Sequence, residues 1–223
     1  MGGAIHQDRD NLCSLSKFLA APNPNRYVYA YFIKEQSCIP SAVNKWQNKI
    51  INTTLDWPTI FTIPFKTLIA PKIRYFQYRF LHRILGVNSY IYKFKYVNSP
   101  LCTFCNTSDE TIEHLFWDCD VIQTFWNTTN MLCLNPNKIQ LINKINVFFG
   151  STEKGNSPLN SYIFFVKYFI FCSKLDRREP DSTIFCRKFD FFLKVNDHIC
   201  SSKAEKSNNF NIFFNTTEAM NEH

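Results

Sequence analysis

The sequence has few glycines and no long apolar run, and each absence excludes a class of protein. Five glycines in 223 residues argue against a turn-rich β architecture. A membrane-spanning helix requires roughly 18 or more apolar residues. The nearest stretch, Tyr162–Cys172, is too short and is interrupted by Lys167. We therefore predict a buried helix at this position and no association with a membrane.

The residues that polymerase chemistry requires are also missing. Nucleotide transfer needs carboxylates that hold two metal ions, but the chain contains no Asp-Asp pair and no phosphate-binding glycine loop. Asp8 and Asp10 lie in a polar N-terminal stretch, and Asp118 and Asp120 flank a cysteine. We therefore expect neither enzymatic activity nor a small-molecule substrate.

Acidic residues are absent between Asp56 and Asp109, and this interval carries the basic excess of the chain. The net charge is +7. The cations in the interval are Lys66, Lys72, Arg74, Arg79, Arg83, Lys93 and Lys95. Such segregation favours a polyanionic partner, and nucleic acid is the usual one.

Two parts of the interval carry candidate nucleic-acid contacts. Apolar periodicity predicts a helix over residues 71–85, ended by Gly86, with Arg79 and Arg83 on its polar face. Because no acid is close in sequence, we interpret these cations as a phosphate-binding surface, with a solvated helix face as the alternative. Val87–Tyr96 interleaves cations with aromatic residues that can stack on bases, or that can equally belong to the core. The predicted contacts are Lys72, Arg74, Arg79, Arg83, Tyr90, Tyr92, Lys93 and Lys95.

Three cysteines and one histidine lie within one stretch of 18 residues, Cys102–Cys119. Two residues separate Cys102 from Cys105, eight separate Cys105 from His114, and four separate His114 from Cys119. Three thiolates and one imidazole form a complete tetrahedral set for zinc. Such a set leaves no position for water, and this predicts a structural site. A redox pair or a chance spacing is the alternative, and Cys133 is a weaker candidate ligand.

The apolar periodicities predict an all-α fold, a helical domain with an embedded Cys-Cys-His-Cys zinc knuckle. Helices are expected near residues 41–52, 121–132, 138–149, 157–175 and 180–201, and Pro58 and Pro64 indicate a loop. The segments expected are a flexible lead-in (1–25), a basic helical segment with the knuckle (26–135), C-terminal helices (136–202) and a frayed tail (203–223). Because the first ten residues lack the apolar core of a signal peptide, we expect an intracellular protein of the nucleus or cytoplasm, with reduced thiols.

Several of these stretches carry a family resemblance. The matching sequence segments are Phe76-Gln77-Tyr78-Arg79, Leu81-His82-Arg83-Ile84-Leu85, Ser99-Pro100-Leu101-Cys102, Glu110-Thr111-Ile112-Glu113-His114-Leu115-Phe116-Trp117 and Phe125-Trp126. They resemble the zinc-binding region near the C-terminus of LINE-type, non-LTR retrotransposon reverse transcriptases. The similarity extends from about Arg26 to Lys194 and is most specific around the knuckle.

The resemblance covers only the part of those proteins that lies beyond the polymerase. It implies a non-catalytic module that contains a structural zinc ion, binds RNA or DNA, and works with the reverse transcriptase core of a related element. The alternatives are a protein-interaction module braced by zinc and a non-functional remnant of a retrotransposon.

Overall fold

The computed structural model describes residues 20, 22–26, 29, 38–50, 54–139 and 141–201, with side chains as far as residue 195. The chain divides into two compact units, Met1–Ser41 and Ala42–His223. In the first unit the backbone N–H of Arg26 donates a hydrogen bond of 3.2 Å to the side chain of Asn23. Most of the predicted lead-in and all of the predicted tail lie outside the described residues, and the segment boundaries stay predictions.

From Ser41 onward the described residues form an all-α fold, which confirms the predicted fold class. The helices are α1 Ser41–Gln47, α2 Trp57–Lys66, α3 Pro71–Leu81, α4 Asn88–Ile91, α5 Asp120–Cys133, α6 Pro136–Ile139, α7 Lys144–Phe149, α8 Ser157–Leu175 and α9 Ser182–Ser201. A 3-10 turn, Tyr92–Phe94, follows α4, and a π-helix, His114–Asp118, precedes α5.

Helix α8 lies at the centre of the second unit. Its sequence is apolar on nearly all sides, which predicts burial around the whole circumference, and the helix is buried in this way. On one side Phe171 packs against Phe76 of α3, with ring centroids 5.3 Å apart. On another side Tyr162 packs against Phe189 of α9 at 5.3 Å. The basic interval and the C-terminal helices therefore share one core.

A helix that crosses a bilayer needs about 20 apolar residues. None of the described helices is long and apolar enough to do so.

The loop predicted around Pro58 and Pro64 is helical, so that prediction is wrong. The Asp56 side chain accepts a hydrogen bond of 3.3 Å from the N–H of Thr59, which caps the start of α2. Pro58 lies in the first turn, where its missing N–H needs no partner. Pro64 lies in the last turn, so it interrupts few hydrogen bonds. Burial of Ile60 and its neighbours in the core outweighs that loss.

The helix predicted over residues 138–149 is instead two shorter helices, α6 and α7. Asn143 lies between them with an extended backbone, and its side chain accepts a hydrogen bond of 2.9 Å from the N–H of Asn146. An asparagine that bonds to the nearby backbone in this way starts a new helix. The prediction from apolar periodicity did not detect this break.

The helix predicted to reach Leu85 ends at Leu81. Arg83 follows in a left-handed conformation, with φ 56°. The N–H groups of Arg83 and Ile84 donate hydrogen bonds of 2.9 Å and 3.0 Å to carbonyl groups of the last helical turn, which is the Schellman arrangement. Arg83 therefore occupies the position that glycine usually takes, and the predicted stop at Gly86 is wrong.

Candidate metal centre

The four predicted metal ligands come together at one point. The ligand atoms of Cys102, Cys105, His114 and Cys119 all lie within 4.8 Å of one another. The sulfur atoms of Cys102 and Cys119 are 3.9 Å apart, and Sγ of Cys105 lies 3.3 Å from Nε2 of His114. A tetrahedral zinc ion with bonds of about 2.3 Å to sulfur requires sulfur–sulfur distances of about 3.8 Å. The cluster therefore fits zinc, with His114 binding through Nε2.

The first two ligands lie on one tight turn. The N–H of Cys102 donates a hydrogen bond of 2.8 Å to the carbonyl of Ser108, and the N–H of Asn106 donates one of 3.1 Å to the carbonyl of Cys102. Asn106 has φ 54°, a left-handed conformation that asparagine adopts more readily than most residues. An antiparallel bridge between Leu101 and Asp109 closes the base of the loop.

The other two ligands lie at the ends of the π-helix: His114 is its first residue and Cys119 directly follows it. The N–H of Cys119 donates a hydrogen bond of 3.0 Å to the carbonyl of His114. This wider turn lets both side chains reach the same ion, and π-turns are frequent at functional sites. The indole N–H of Trp126 in α5 donates a hydrogen bond of 3.0 Å to the carbonyl of Phe116. Trp126 thus joins the knuckle to the body of the unit.

The three ligand thiols differ in pKa because their surroundings differ. Burial raises the pKa of Cys102 to about 12 and also raises the pKa of Cys119. Burial also opposes ionisation of Cys105. Hydrogen bonds from the hydroxyl and the backbone of Thr107, and from His114, outweigh that effect and lower its pKa to about 6. Cys105 is therefore the most readily ionised ligand, and the other two must lose their protons when zinc binds.

The ligand set is complete without Cys133. The sulfur of Cys133 lies 3.2 Å from the sulfur of Cys186, in the buried contact between α5 and α9. Among the described residues, the four knuckle ligands are the one group of three or more Cys, His, Asp or Glu side chains that could hold a metal ion. Because all four positions are filled by protein atoms, the site suits structural zinc.

Sequence reasoning missed Glu110, which forms hydrogen bonds to the turn that carries Cys102 and Cys105, called the metal turn below. Its side chain is fully buried and accepts hydrogen bonds from the N–H of Asn88 (2.9 Å) and from the N–H and hydroxyl of Thr103 (2.8 Å and 2.6 Å). Nζ of Lys174 lies 3.5 Å from the same carboxylate and donates a 2.6 Å hydrogen bond to the carbonyl of Gly86. Glu110 therefore joins the Cys102–Cys105 turn to α4 and to the end of α8.

Arg83 has an acidic partner that the sequence interval concealed. Its Nη1 lies 2.6 Å from Oε1 of Glu113, and the two side chains are only 14% and 11% exposed. Its guanidinium also lies 4.2 Å from the ring centroid of Trp46, a cation–π contact. Burial opposes ionisation of Glu113, but the hydrogen bond and charge of Arg83 outweigh it and lower the pKa of Glu113. The expectation that Arg83 lacks an acidic neighbour is wrong.

The other predicted contacts on α3 remain at its surface. Lys72 is exposed, with Nζ 5.6 Å from the ring centroid of Tyr168. Arg79 is half-buried, with its guanidinium 5.9 Å from the ring centroid of Tyr75. Arg74 is more constrained, because its Nε donates a hydrogen bond of 3.1 Å to a carbonyl of α2.

The remaining predicted contacts lie on α4 and the 3-10 turn. Tyr90 packs edge-on against Phe94, with ring centroids 5.3 Å apart. Tyr92, Lys93 and Lys95 are exposed. The structure therefore leaves two exposed groups of basic and aromatic residues, one on α3 and one between α4 and the metal turn.

Comparison with known proteins agrees with this geometry. Residues 39–126 match a family model described as zinc-binding in reverse transcriptase. The match begins just before α1, includes all four ligands and ends within α5. No curated protein and no solved structure gives a significant match to the chain. Residues 39–126 are therefore similar to the zinc-binding region of reverse transcriptases, and the Cys-Cys-His-Cys cluster lies within that match.

Proposed function

We propose that this region is a non-catalytic module that binds RNA or DNA strands for the reverse transcriptase core of a related, LINE-type element. Zinc, when bound, supplies a fixed centre that holds the four ligand side chains together. The protein's own basic and aromatic residues make the contacts with nucleic acid. Such a role places the protein in the nucleus or the cytoplasm.

The observation that carries the proposal is a set of exposed cations beside exposed aromatic rings. Lys93 and Lys95 are exposed, and neither forms an ion pair with any described residue. The neighbouring residues Tyr92 and Tyr96 are 46% and 81% exposed. Exposed cations neutralise phosphates and aromatic rings stack on bases, and together they form a typical surface for single strands.

Two of the acidic residues in the metal loop, residues 102–119, support the same interpretation. Glu110 is buried next to Lys174, and Glu113 is buried next to Arg83. Their negative charges are therefore directed into the fold and do not cancel the exposed cations. Arg83 is used in that internal pairing, so we assign it a structural role and leave it out of the binding surface.

The proposal is tested by the salt dependence of binding to a short single-stranded RNA. For single strands, each phosphate contact contributes about 0.7 to the slope of log affinity against log salt. Replacing both Lys93 and Lys95 by alanine should therefore reduce the slope by about 1.4. The matched control replaces Lys154 and Arg187, which are exposed elsewhere on the unit, and it should leave the slope unchanged.

Two results would contradict the proposal. If the lysine double variant keeps its zinc and its salt slope, these cations do not contact phosphates. A protein-interaction module would then be the better account. If the purified chain extends a primed RNA template with magnesium and nucleotides, the non-catalytic assignment is wrong.

A further inference from the structure

A surface cavity of about 580 Å³ lies between the metal turn, the segment that follows α4 and the end of α8. Its volume is in the range of pockets that bind small ligands. The lining residues that matter here are Asn88, Tyr96, Asn98, Asn106, Lys174 and Arg177. In sequence, Lys93 and Lys95 lie between two lining residues, Ile91 and Tyr96. The wall also includes Asn106 of the knuckle.

The charges of the lining favour an anion. Lys174 and Arg177 contribute two cations, and the lining contains no acidic residue. Lys174 is occupied by Glu110 and by the carbonyl of Gly86. The exposed Arg177 forms no ion pair with any described residue, so its guanidinium is available for a phosphate.

The carbonyl end of α8 would by itself repel an anion, because the helix dipole is negative there. Three N–H groups after the helix reduce this effect. Those of Asp176, Arg177 and Arg178 donate hydrogen bonds of 2.9 Å, 3.1 Å and 3.0 Å to carbonyls of the last turn. With those carbonyls occupied, Arg177 is the cation of the lining that has no acidic partner among the described residues.

The other end of the cavity offers groups that recognise a base. Tyr96 is an aromatic residue of the lining and is 81% exposed. The exposed side chains of Asn98 and Asn106 each carry a hydrogen-bond donor and an acceptor, which suit the edge of an unpaired base. Asn88 has a different role, since its Nδ2 donates hydrogen bonds of 2.8 Å and 3.2 Å to Leu101 and Thr103 and so holds the wall in place.

We propose that this cavity receives one unpaired nucleotide of a bound strand, with its base against Tyr96 and its phosphate at Arg177. This inference rests on the proposed function, and it adds a preference for single strands over duplexes. A base within a duplex is stacked and paired, so it cannot enter the cavity. The backbone on one side of the inserted nucleotide would pass Lys93 and Lys95.

The test uses the full-length, zinc-loaded chain with RNA and DNA oligonucleotides of one sequence, each as a single strand and as a duplex. Loss of one base–aromatic stack typically weakens binding between about 5-fold and 160-fold. Tyr96→Ala should therefore weaken single-strand binding by such a factor and leave duplex binding unchanged, whereas Tyr96→Phe should bind as the wild type. Arg177→Ala should also weaken single-strand binding selectively.

The matched controls are Arg178→Ala, which removes the same charge one residue away, and Phe191→Ala, which removes an exposed ring on α9. Zinc content and circular dichroism verify that each variant is folded. A single 4-thiouridine in the RNA, cross-linked by light, should map to peptides around Tyr96 or Arg177.

The outcomes separate the two proposals. If single strands bind but Tyr96→Ala and Arg177→Ala match their controls, the cavity assignment is overturned and the proposed function stands. If both variants weaken single strands and duplexes equally, nucleotide insertion is likewise overturned. If the wild-type chain binds no oligonucleotide, both proposals fail. Comparison of the RNA and DNA arms identifies which kind of strand supplies the nucleotide.

Discussion

Glu110→Gln is the most direct test of how the fold supports the knuckle. Glutamine has the shape of glutamate but replaces one acceptor oxygen by an NH2 donor. Both oxygens of Glu110 are in use. Oε1 accepts from the N–H of Asn88 and lies near Lys174, while Oε2 accepts from the N–H and hydroxyl of Thr103. Whichever oxygen is replaced, a buried donor of the fold faces another donor.

The size of the effect follows from that mismatch. A buried donor left without an acceptor costs about 1–3 kcal/mol, and more when a charged group is involved. Loss of the negative charge also leaves Lys174, whose side chain is only 6% exposed, without its acidic partner. We expect the free energy of unfolding to fall by about 2–5 kcal/mol. Zinc affinity should fall about 10- to 100-fold, as is typical when groups that orient metal ligands are removed.

Two measurements determine these quantities. Denaturant unfolding of the zinc-loaded protein, followed by tryptophan fluorescence, gives the free energy of unfolding. Competition with a chromophoric chelator gives the zinc affinity. Asp109→Asn is the matched control, because it makes the same chemical change at the exposed neighbouring residue and should alter stability by no more than about 0.5 kcal/mol. If Glu110→Gln resembles Asp109→Asn in both measurements, Glu110 does not support the knuckle and the reasoning is refuted.

Three further predictions concern the metal, Arg83 and Lys167. Purified protein should contain about one zinc ion per chain by elemental analysis, and Cys105→Ser should reduce that content, because the closed set loses one of its four ligands. Arg83→Ala should lower the free energy of unfolding by about 3–5 kcal/mol in denaturant, because it leaves Glu113 buried without a partner. Lys167 is fully buried, and burial lowers its pKa well below the usual 10.5. The unfolded chain therefore binds this proton more tightly, so stability should rise with pH from the lowered pKa up to about 10.5. Lys167→Met should remove that rise in unfolding measured across alkaline pH.

Each of these predictions has a control. Chelation of zinc should loosen the segment from about Ser99 to Trp126 in hydrogen exchange, and uniform loosening of the whole unit would contradict a local role for zinc. Arg79→Ala should change stability by no more than about 0.5 kcal/mol, and an equal effect of Arg79 and Arg83 would contradict their separate assignments. For Lys167, an alkaline slope that persists in the methionine variant would mean that other groups cause it.

The features that the sequence predicted are local ones. The four zinc ligands lie within 18 residues, so ligand chemistry and chain length already restrict them to one small loop. The central helix α8 was predictable because its apolar residues cover every side and so require burial on every side. The exposed cations between α4 and the metal turn were predictable because no acidic residue is near enough in sequence to pair with them.

Only the tertiary structure determines which residues that are far apart in the sequence pair with each other. Arg83 and Glu113 are 30 residues apart and Glu110 reaches Asn88 over 22 residues, and no spacing rule connects such positions. Arg83 was expected on a polar helix face, but the helix ends before it and a left-handed turn directs it toward Trp46 and Glu113. Periodicity shows which face of a helix is apolar. Only tertiary packing determines which side chain from elsewhere in the chain contacts that face. It also buried Arg83 against Glu113 and left Lys93 and Lys95 exposed.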